Sequence, residues 1–518
     1  MPSLVTDNFR IFAAEQFMES LEEPYDDNDV PVKDNTTAAQ NYRSKIYMFT
    51  GRSQNWTLER YNGVSSVTEF DPPSPYDSFN DSNESYDDMI SAKRLTRADV
   101  SKVIRKITWK EGVKYDMYKN DYSPENLSIN GASKLYDSQF YVMNGNYQVY
   151  KCIYNGESPD NPTGVTSTVE PTGNSTTIIE STTDGYRWKY MYTITIADYI
   201  KFVSSDFIPV KDDSVVTAAA IDGAIQQIII DNRGSGITAG TYYCPIIGDG
   251  TTMALARIVV PTTGGNAGKI DTIELERVGA GYTRGTVLLN EPYNNVNDAL
   301  ARTTSARLTA LSGSVTAIIS PPGGHGSNSS LELGGYRVMI NKSLDFLDGD
   351  GDIPVDSQFR RFGLISDPKD PNNQDLTVDT ATACYAVKFS TTTNLNFSPG
   401  EIITQTTTGA KGRVIHWDSV TKVLRYYQNE YIDATQGGDN QYKLTPFSGA
   451  NDISGADSQV TLTPDTSSSG NYFGINFTSG YASPEIKKNS GTVIYVENRK
   501  AVNRSNDQIE DIKLVVEF

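Results

Sequence analysis

Several short stretches of this 518-residue chain hold residue types that could do chemistry. One is Arg233-Gly234-Ser235-Gly236, a Gly-x-Gly turn two residues after the apolar run Ile228-Ile229-Ile230. Many phosphate-cradling loops begin this way, because glycine lets backbone N–H groups close on an anion. A second is the series Asp348, Asp350, Asp352 and Asp356 in "LDFLDGDGDIPVD", spaced like the ligands of a calcium loop. Such loops need glycine at position six and glutamate at position twelve, and here Ile353 and Phe359 stand there. A glycine-rich acidic turn is the plainer reading. The acidic residues Asp77, Asp81, Glu84, Asp87 and Asp88 pose the same choice, and a solvated acidic loop is expected over a cation site. Only two histidines occur, His325 in a glycine-rich turn and His416 beside Trp417 on a strand-like run. Neither has a nucleophile or ligand partner at a telling spacing, so structural roles are expected for both. Cys152, Cys244 and Cys384 lie far apart and fit neither a disulfide framework nor a zinc site, which points to a reduced, cytosolic origin. No catalytic, cofactor-binding or metal-ligating residue is nominated, and the chain is not expected to be an enzyme.

The Gly-x-Gly question is decided by what else looks like it. "GAIQQIIIDNRGSGIT" starts at Gly223, "GKIDTIELERVGAGYT" at Gly268 and "GSVTAIISPPGGHGSN" at Gly313, each 45 residues after the last. Glycine recurs in register at 234, 279 and 324, and again at 236, 281 and 326. Ile225, Ile270 and Val315 match, as do Ile228, Ile273 and Ile318. A phosphate loop is needed once and opens a helix, whereas this element recurs and is followed by strand-like "GTYYCPII" and "GTVLLN". The glycines are therefore read as turns that let a strand reverse. The period is also propeller-like, but two full copies and a partial third are too few to close a ring of blades.

The elements around these motifs are mostly strands. Apolar content is a low 37%, tyrosine is abundant at 31 residues, and the formal net charge is -19. Tyrosine suits strands and interfaces, while the acidic balance argues against nucleic acid and for contact with other proteins. No secretory leader and no apolar run of membrane-spanning length is seen, so no membrane insertion is expected. "TDNFRIFAAEQFMESLEE" places Phe9, Phe12, Ala13, Phe17 and Leu21 at helical spacing, with Thr6 or Asp7 as cap. That stripe is expected to pack on its own domain, with docking on another subunit as the alternative. Residues 44–56 read as a strand ended by Gly51, and 69–89 as an extended connection, since Pro72, Pro73 and Pro75 forbid regular pairing. A strand at 99–109, a hairpin at 138–155 turning on Asn144-Gly145-Asn146 and an aromatic strand at 184–196 follow.

Five collinear segments carry a resemblance. They are Gly51, Arg52, Ser53 and Trp56 in "FTGRSQNW", Val149, Tyr150 and Cys152 in "YQVYKCIYN", and Asp184, Gly185, Tyr186, Trp188 and Tyr190 in "DGYRWKYMYTI". "FRRFGLISDPKDP" and the C-terminal Gly491, Ile494, Tyr495, Glu497, Asn498, Arg499, Asp507, Gln508, Ile512 and Phe518 complete the set. In this order along 9–210, 336–372 and 471–518 the chain resembles a baseplate wedge subunit of T4-like contractile-tailed bacteriophages, the eighth-gene-product family. It departs from that family in the 45-residue repeats and in most of 376–470. The resemblance implies a homodimeric structural protein of the virion tail baseplate, assembled in the host cytoplasm. Its partners would be other baseplate wedge proteins, and it would help transmit baseplate rearrangement during infection. A tail-associated glycan-binding protein, or less readily a glycan-cleaving one, is the competing reading, because β-rich chains with exposed tyrosines often serve that purpose. Cleavage would need two carboxylates spaced across a groove, and the sequence nominates no such pair.

The expected fold is mainly β, an antiparallel β-sandwich-like frame with few helices and with inserted β-repeat and small β-barrel-like modules. The frame would occupy 1–214 with its leading helix, 331–375 and 471–518, with modules inserted at 215–330 and 376–470. The two chain ends are expected to meet, and both insertions to fold as independent modules.

Overall fold

The computed structural model describes residues 4–21, 24–25, 41–42, 45–56, 67–344, 357–392, 394–429, 434–436, 442–505 and 508–518. Strands hold 37% of the chain and helices 12%, which makes the protein mainly β, as its alternating tyrosine-rich segments imply. Among the described residues no helix is long and apolar enough to cross a membrane. The chain divides into two compact units: Met1–Glu15, Ser101–Met339 and Val515–Phe518 form one, Gln16–Val100 and Ile340–Leu514 the other.

The first unit is built on an antiparallel sheet in the order Tyr141–Met143, Gln148–Tyr154, Arg187–Thr193, Ile179–Glu180. Its core is aromatic, with Tyr115, Phe140, Tyr150, Tyr186, Trp188 and Tyr192 all buried. The Tyr186 and Trp188 rings stack at 5.3 Å, and Tyr115 meets Trp188 edge-on at 6.0 Å. In the 141–154 hairpin the left-handed residue is Tyr147, at φ 59, rather than any of Asn144, Gly145 or Asn146. Asn144 instead folds its side chain over the turn, its Oδ1 accepting from Asn146 N at 2.9 Å and Gln148 N at 3.0 Å. A loop of this kind ends in one left-handed residue, and its last position falls on the tyrosine.

The repeats also lie in this unit. All nine in-register glycines have positive φ: 223, 268 and 313, then 234, 279 and 324, then 236, 281 and 326. They are turn residues, as their recurrence implies. The first two copies bond each other reciprocally. Ile225 N donates to Val278 O and Ile270 N to Arg233 O, both at 2.9 Å, at equivalent positions of the two copies. Ile237 N likewise donates to Gly268 O at 3.0 Å and Tyr282 N to Gly223 O at 3.2 Å. This is the logic of a twofold interface, realised within one chain. The four strands Thr272–Arg277, Ala254–Val260, Gly240–Gly248 and Gly285–Val287 form one sheet of the module.

Independence of the 215–330 module meets an obstacle in the ribbon formed by Ile225–Asn232 and Ser314–Ile319, which pair antiparallel. Successive side chains of a strand point to opposite faces. Ile228 and Ile319 pack in the core of the repeats, whereas Ile229, Ile318 and Val216 pack in the aromatic core of the frame. The ribbon is one wall with a core on either side.

The second unit contains a five-stranded antiparallel sheet in the order Thr380–Thr382, Met89–Arg94, Ile46–Gly51, Gln358–Ser366, Thr492–Asn503. A seven-stranded antiparallel sheet runs from Thr461–Leu462 through Ile402–Gln405 and Lys411–Asp418 to Tyr385–Lys388 and Tyr481–Ala482. Its own core gathers Phe389, Phe397, Trp417 and Tyr426. Residues 69–89 are not wholly extended: Phe79–Asp87 is an α-helix. Its cap stands three residues past the last proline, where Ser78 accepts from Asp81 N at 3.1 Å.

The leading helix, Asp7–Glu19, is capped by Thr6, whose Oγ1 accepts from Phe9 N at 3.3 Å. Its buried residues are Ile11, Ala14 and Met18, followed by Leu21, so the buried face is rotated from the expected stripe. Phe9 and Phe12 remain 61% and 57% exposed, beside exposed Leu4 and Val5.

Candidate functional site

Two buried clusters of charged side chains are the places where these elements concentrate chemistry. One lies in the second unit around Asp88, at the end of the Phe79–Asp87 helix. Arg361 Nη1 donates to both carboxylate oxygens of Asp88, at 3.1 and 3.0 Å, while its Nε donates to Asn498 Oδ1 at 2.9 Å. The Arg52 guanidinium is 3.6 Å from Asp88 and lies over the Trp56 ring at 4.4 Å. Trp56 in turn donates its indole N–H to Arg499 O at 2.7 Å, and Asn498 Nδ2 donates to Pro73 O at 2.9 Å. Arg360 reaches Ser53 O and Glu69, each at 2.6 Å. Arg52, Trp56, Asp88 and Arg361 are all buried. Burial pushes the Asp88 carboxyl up, and Arg361 and then Arg52 pull it back.

The strand register explains why these residues meet. Arg361 pairs with Gly51 on one side and with Asn498 on the other, so a central strand sets its side chain between two neighbours. Glycine is required on that strand at 363, where a Cβ would fall 2.1 Å from Tyr495 O. Three of the segments that carry the family resemblance, around Arg52, Arg361 and Asn498, thus share one cluster. The other two, around Tyr150 and Trp188, supply the aromatic core of the first unit. Asp184 there ties a loop, accepting from Thr168 N at 2.8 Å and Val169 N at 3.1 Å.

The other cluster lies inside the first unit. Lys151 and Lys189 are cross-strand partners, and both side chains are buried. The Lys151 ammonium donates to Glu332 Oε2, on the short helix Ser329–Leu333. Glu332 Oε1 accepts from two backbone groups, Gly326 N at 2.7 Å and Asn328 N at 3.3 Å. His325 Nδ1 is 3.9 Å from Glu332 Oε2 and has no hydrogen-bond partner among the described residues. The Tyr118 ring closes the site, 5.1 Å from the Lys151 nitrogen and edge-on to His325 at 4.9 Å. Burial lowers the Lys151 pKa despite Glu332; burial and then the neighbouring lysines hold His325 well below its ordinary value.

The remaining motifs settle as follows. The acidic run is no solvated loop: Asp81, Asp87 and Asp88 are buried, because each has a partner. Asp81 accepts from Tyr76 N at 2.6 Å, and Asp87 pairs with Lys488 at 3.1 Å. Asp348, Asp350, Asp352 and Asp356 fall outside the described residues. His416 lies buried on the Lys411–Asp418 strand opposite Arg425. The three cysteines are buried, and burial pushes Cys244 and Cys384 up to about 12, which leaves them poor nucleophiles. Among the described residues no three His, Cys, Asp or Glu side chains group to hold a metal ion. No family model matches the chain, and no curated protein matches it. The lysine–glutamate cluster is what the motifs did not indicate, because its two central residues stand 181 positions apart.

Proposed function

We propose that this chain is a structural subunit of the baseplate wedge of a contractile phage tail, a dimer that links other wedge proteins and passes on baseplate rearrangement. The observation that carries this reading is the shared cluster around Asp88. Segments that resemble the wedge family at 51–56, 359–371 and 491–499 hold one another through Arg361, Asn498 and Trp56. Motifs kept for a common frame would be expected to behave so, as packing residues and not as a reactive centre.

Exposed aromatic surface adds support. Phe9 and Phe12 on the leading helix of one unit, and Phe70, Tyr76 and Phe79 of the other, present large apolar faces to solvent, with Phe79 92% exposed. Aromatic residues are favoured at the centres of protein contacts. A closed twofold pair leaves such faces free for different partners.

The test is incorporation. Light scattering of the purified chain should give a dimer. A Phe9→Ser, Phe12→Ser variant should keep that mass yet fail to enter a complex with co-expressed wedge proteins of the same tail. A long polymer, a monomer at high concentration, or unimpaired entry of the variant would count against the proposal. Incubation with host polysaccharide separates the competing reading, since retention or cleavage of the glycan would favour a binding or hydrolytic tail protein.

A further inference from the structure

The Lys151 cluster holds more than a salt bridge needs. Two lysine side chains face one carboxylate in a dry interior, where each unpaired charge is costly. Lys189 directs its ammonium to Thr176 O, so Glu332 is left to Lys151. One oxygen of Glu332 touches the Lys151 nitrogen, and the other sits under two backbone N–H groups. An unpartnered imidazole nitrogen lies on the Lys151 side of the carboxyl group. Nucleophile, electrophile, oxyanion donors and proton carrier are all present, within a core that excludes water.

We propose that Lys151 and Glu332 condense into an intramolecular isopeptide bond, with His325 carrying the proton. In the low-dielectric site the ammonium passes one proton to the carboxylate, leaving amine and acid. Burial holds Lys151 below the ordinary lysine range, which brings its amine form within reach. The Lys151 nitrogen lone pair attacks Glu332 Cδ, and the carbonyl π pair moves onto Oε1. Negative charge growing there is met by Gly326 N–H and Asn328 N–H. His325 Nδ1 accepts a proton from the attacking nitrogen and delivers it to Oε2. The 3.9 Å separation is a resting distance, and catalytic hydrogen bonds tighten as the intermediate forms. The Cδ–Oε2 bond then breaks and Oε2 leaves as water, carrying two protons. One C–N bond forms, one C–O bond breaks, and nothing is oxidised or reduced.

The geometry of the glycine turn is part of the device. Gly324 and Gly326 flank His325 with φ of 95 each, and a Cβ on Gly326 would fall 2.4 Å from the Val216 side chain. The third repeat copy, which ends there, thus brings both the imidazole and an oxyanion donor to the lysine.

Intact-mass spectrometry of the purified full chain, denatured, tests this directly. The expected mass is that of the sequence less one water. A protease digest should yield one branched peptide joining the segments around Lys151 and Glu332. Lys151→Met should restore the full sequence mass. His325→Phe should accumulate uncrosslinked chain after synthesis while its circular dichroism stays that of the parent, which a merely structural histidine would not do. A parent chain at full sequence mass with no branched peptide overturns the proposal, whatever the variants do. Full crosslinking in the His325→Phe chain removes the histidine's part in it.

Discussion

Gly223 and Tyr282 approach so closely that a methyl group on Gly223 would fall 2.2 Å from the Tyr282 nitrogen. The same nitrogen donates to Gly223 O, one half of the reciprocal bonding between the first two repeat copies. Gly236 has a similar backbone, φ 69 against 60, but open space where its Cβ would be. The two positions separate backbone strain from steric conflict. Gly236→Ala should cost about 1–2 kcal/mol, the left-handed penalty alone. Gly223→Ala should cost more, at least about 3 kcal/mol, because backbone must move as well. Urea unfolding of both variants measures the difference, and equal costs would mean that the two copies are not held as described.

The ribbon shared by two cores makes a prediction about cooperativity. Ile229→Ala and Ile318→Ala should each destabilise the frame by about 2–5 kcal/mol, although both lie within the repeats. Deleting 215–330 should leave the aromatic sheet poorly packed, since Val216, Ile229 and Ile318 go with it. Near-ultraviolet circular dichroism would report loose tyrosine and tryptophan environments. A deletion chain with the parent's aromatic spectrum would show that the frame closes its own core.

Arg361 and Arg499 offer a contrast between buried and exposed pairs. Arg361→Ala leaves Asp88 buried, still near Arg52 but without its bidentate partner, and should cost about 3–5 kcal/mol. Arg499→Ala removes a 2.6 Å contact with Glu497 whose arginine side chain is half exposed, and should cost under about 1 kcal/mol. Denaturant midpoints of the two variants decide between this ordering and its reverse.

Acid sensitivity follows from Asp375. Hydrogen bonds from Lys369 and Lys45, the latter at 3.0 Å, hold its carboxyl below the ordinary range. A carboxyl depressed on folding binds its proton more weakly in the native state. Its stabilisation is present above the unfolded pKa and is lost as pH falls through the folded one. Asp375→Asn should therefore lower the melting temperature at neutral pH, and the gap should close as acid carries the pH down through the depressed folded pKa. A gap independent of pH would assign the loss to packing instead of charge.

Much of the fold was legible because it rests on local rules. The nine glycines at matched positions announced turns, since only glycine adopts positive φ without strain, and all nine do. The strands at 46–51, 100–105 and 187–193 followed from short runs rich in apolar, β-branched and aromatic residues. The 79–87 helix was hidden by its prolines, which end before Ser78, and by an acidic run that reads as solvated until Lys488 and Arg361 are placed beside it. The leading helix carries apolar residues over more than one face, and spacing does not say which face is covered. The Lys151–Glu332 cluster was not legible at all. Lysine on an aromatic strand and glutamate on a five-residue helix acquire meaning only when the chain between them has folded.

The ribbon also sets a timetable for synthesis. The aromatic sheet is complete in sequence once Thr193 has been made, but its core lacks Ile229, Ile318 and Leu333. At roughly 5–20 residues per second the ribosome needs on the order of ten seconds to supply the last of them. During that interval the face of the sheet that carries Lys151 and Lys189 waits, on a nascent chain, for Glu332 and the third repeat copy. Whatever shields that face in the cell has finished its task when the third repeat copy emerges and the seam closes.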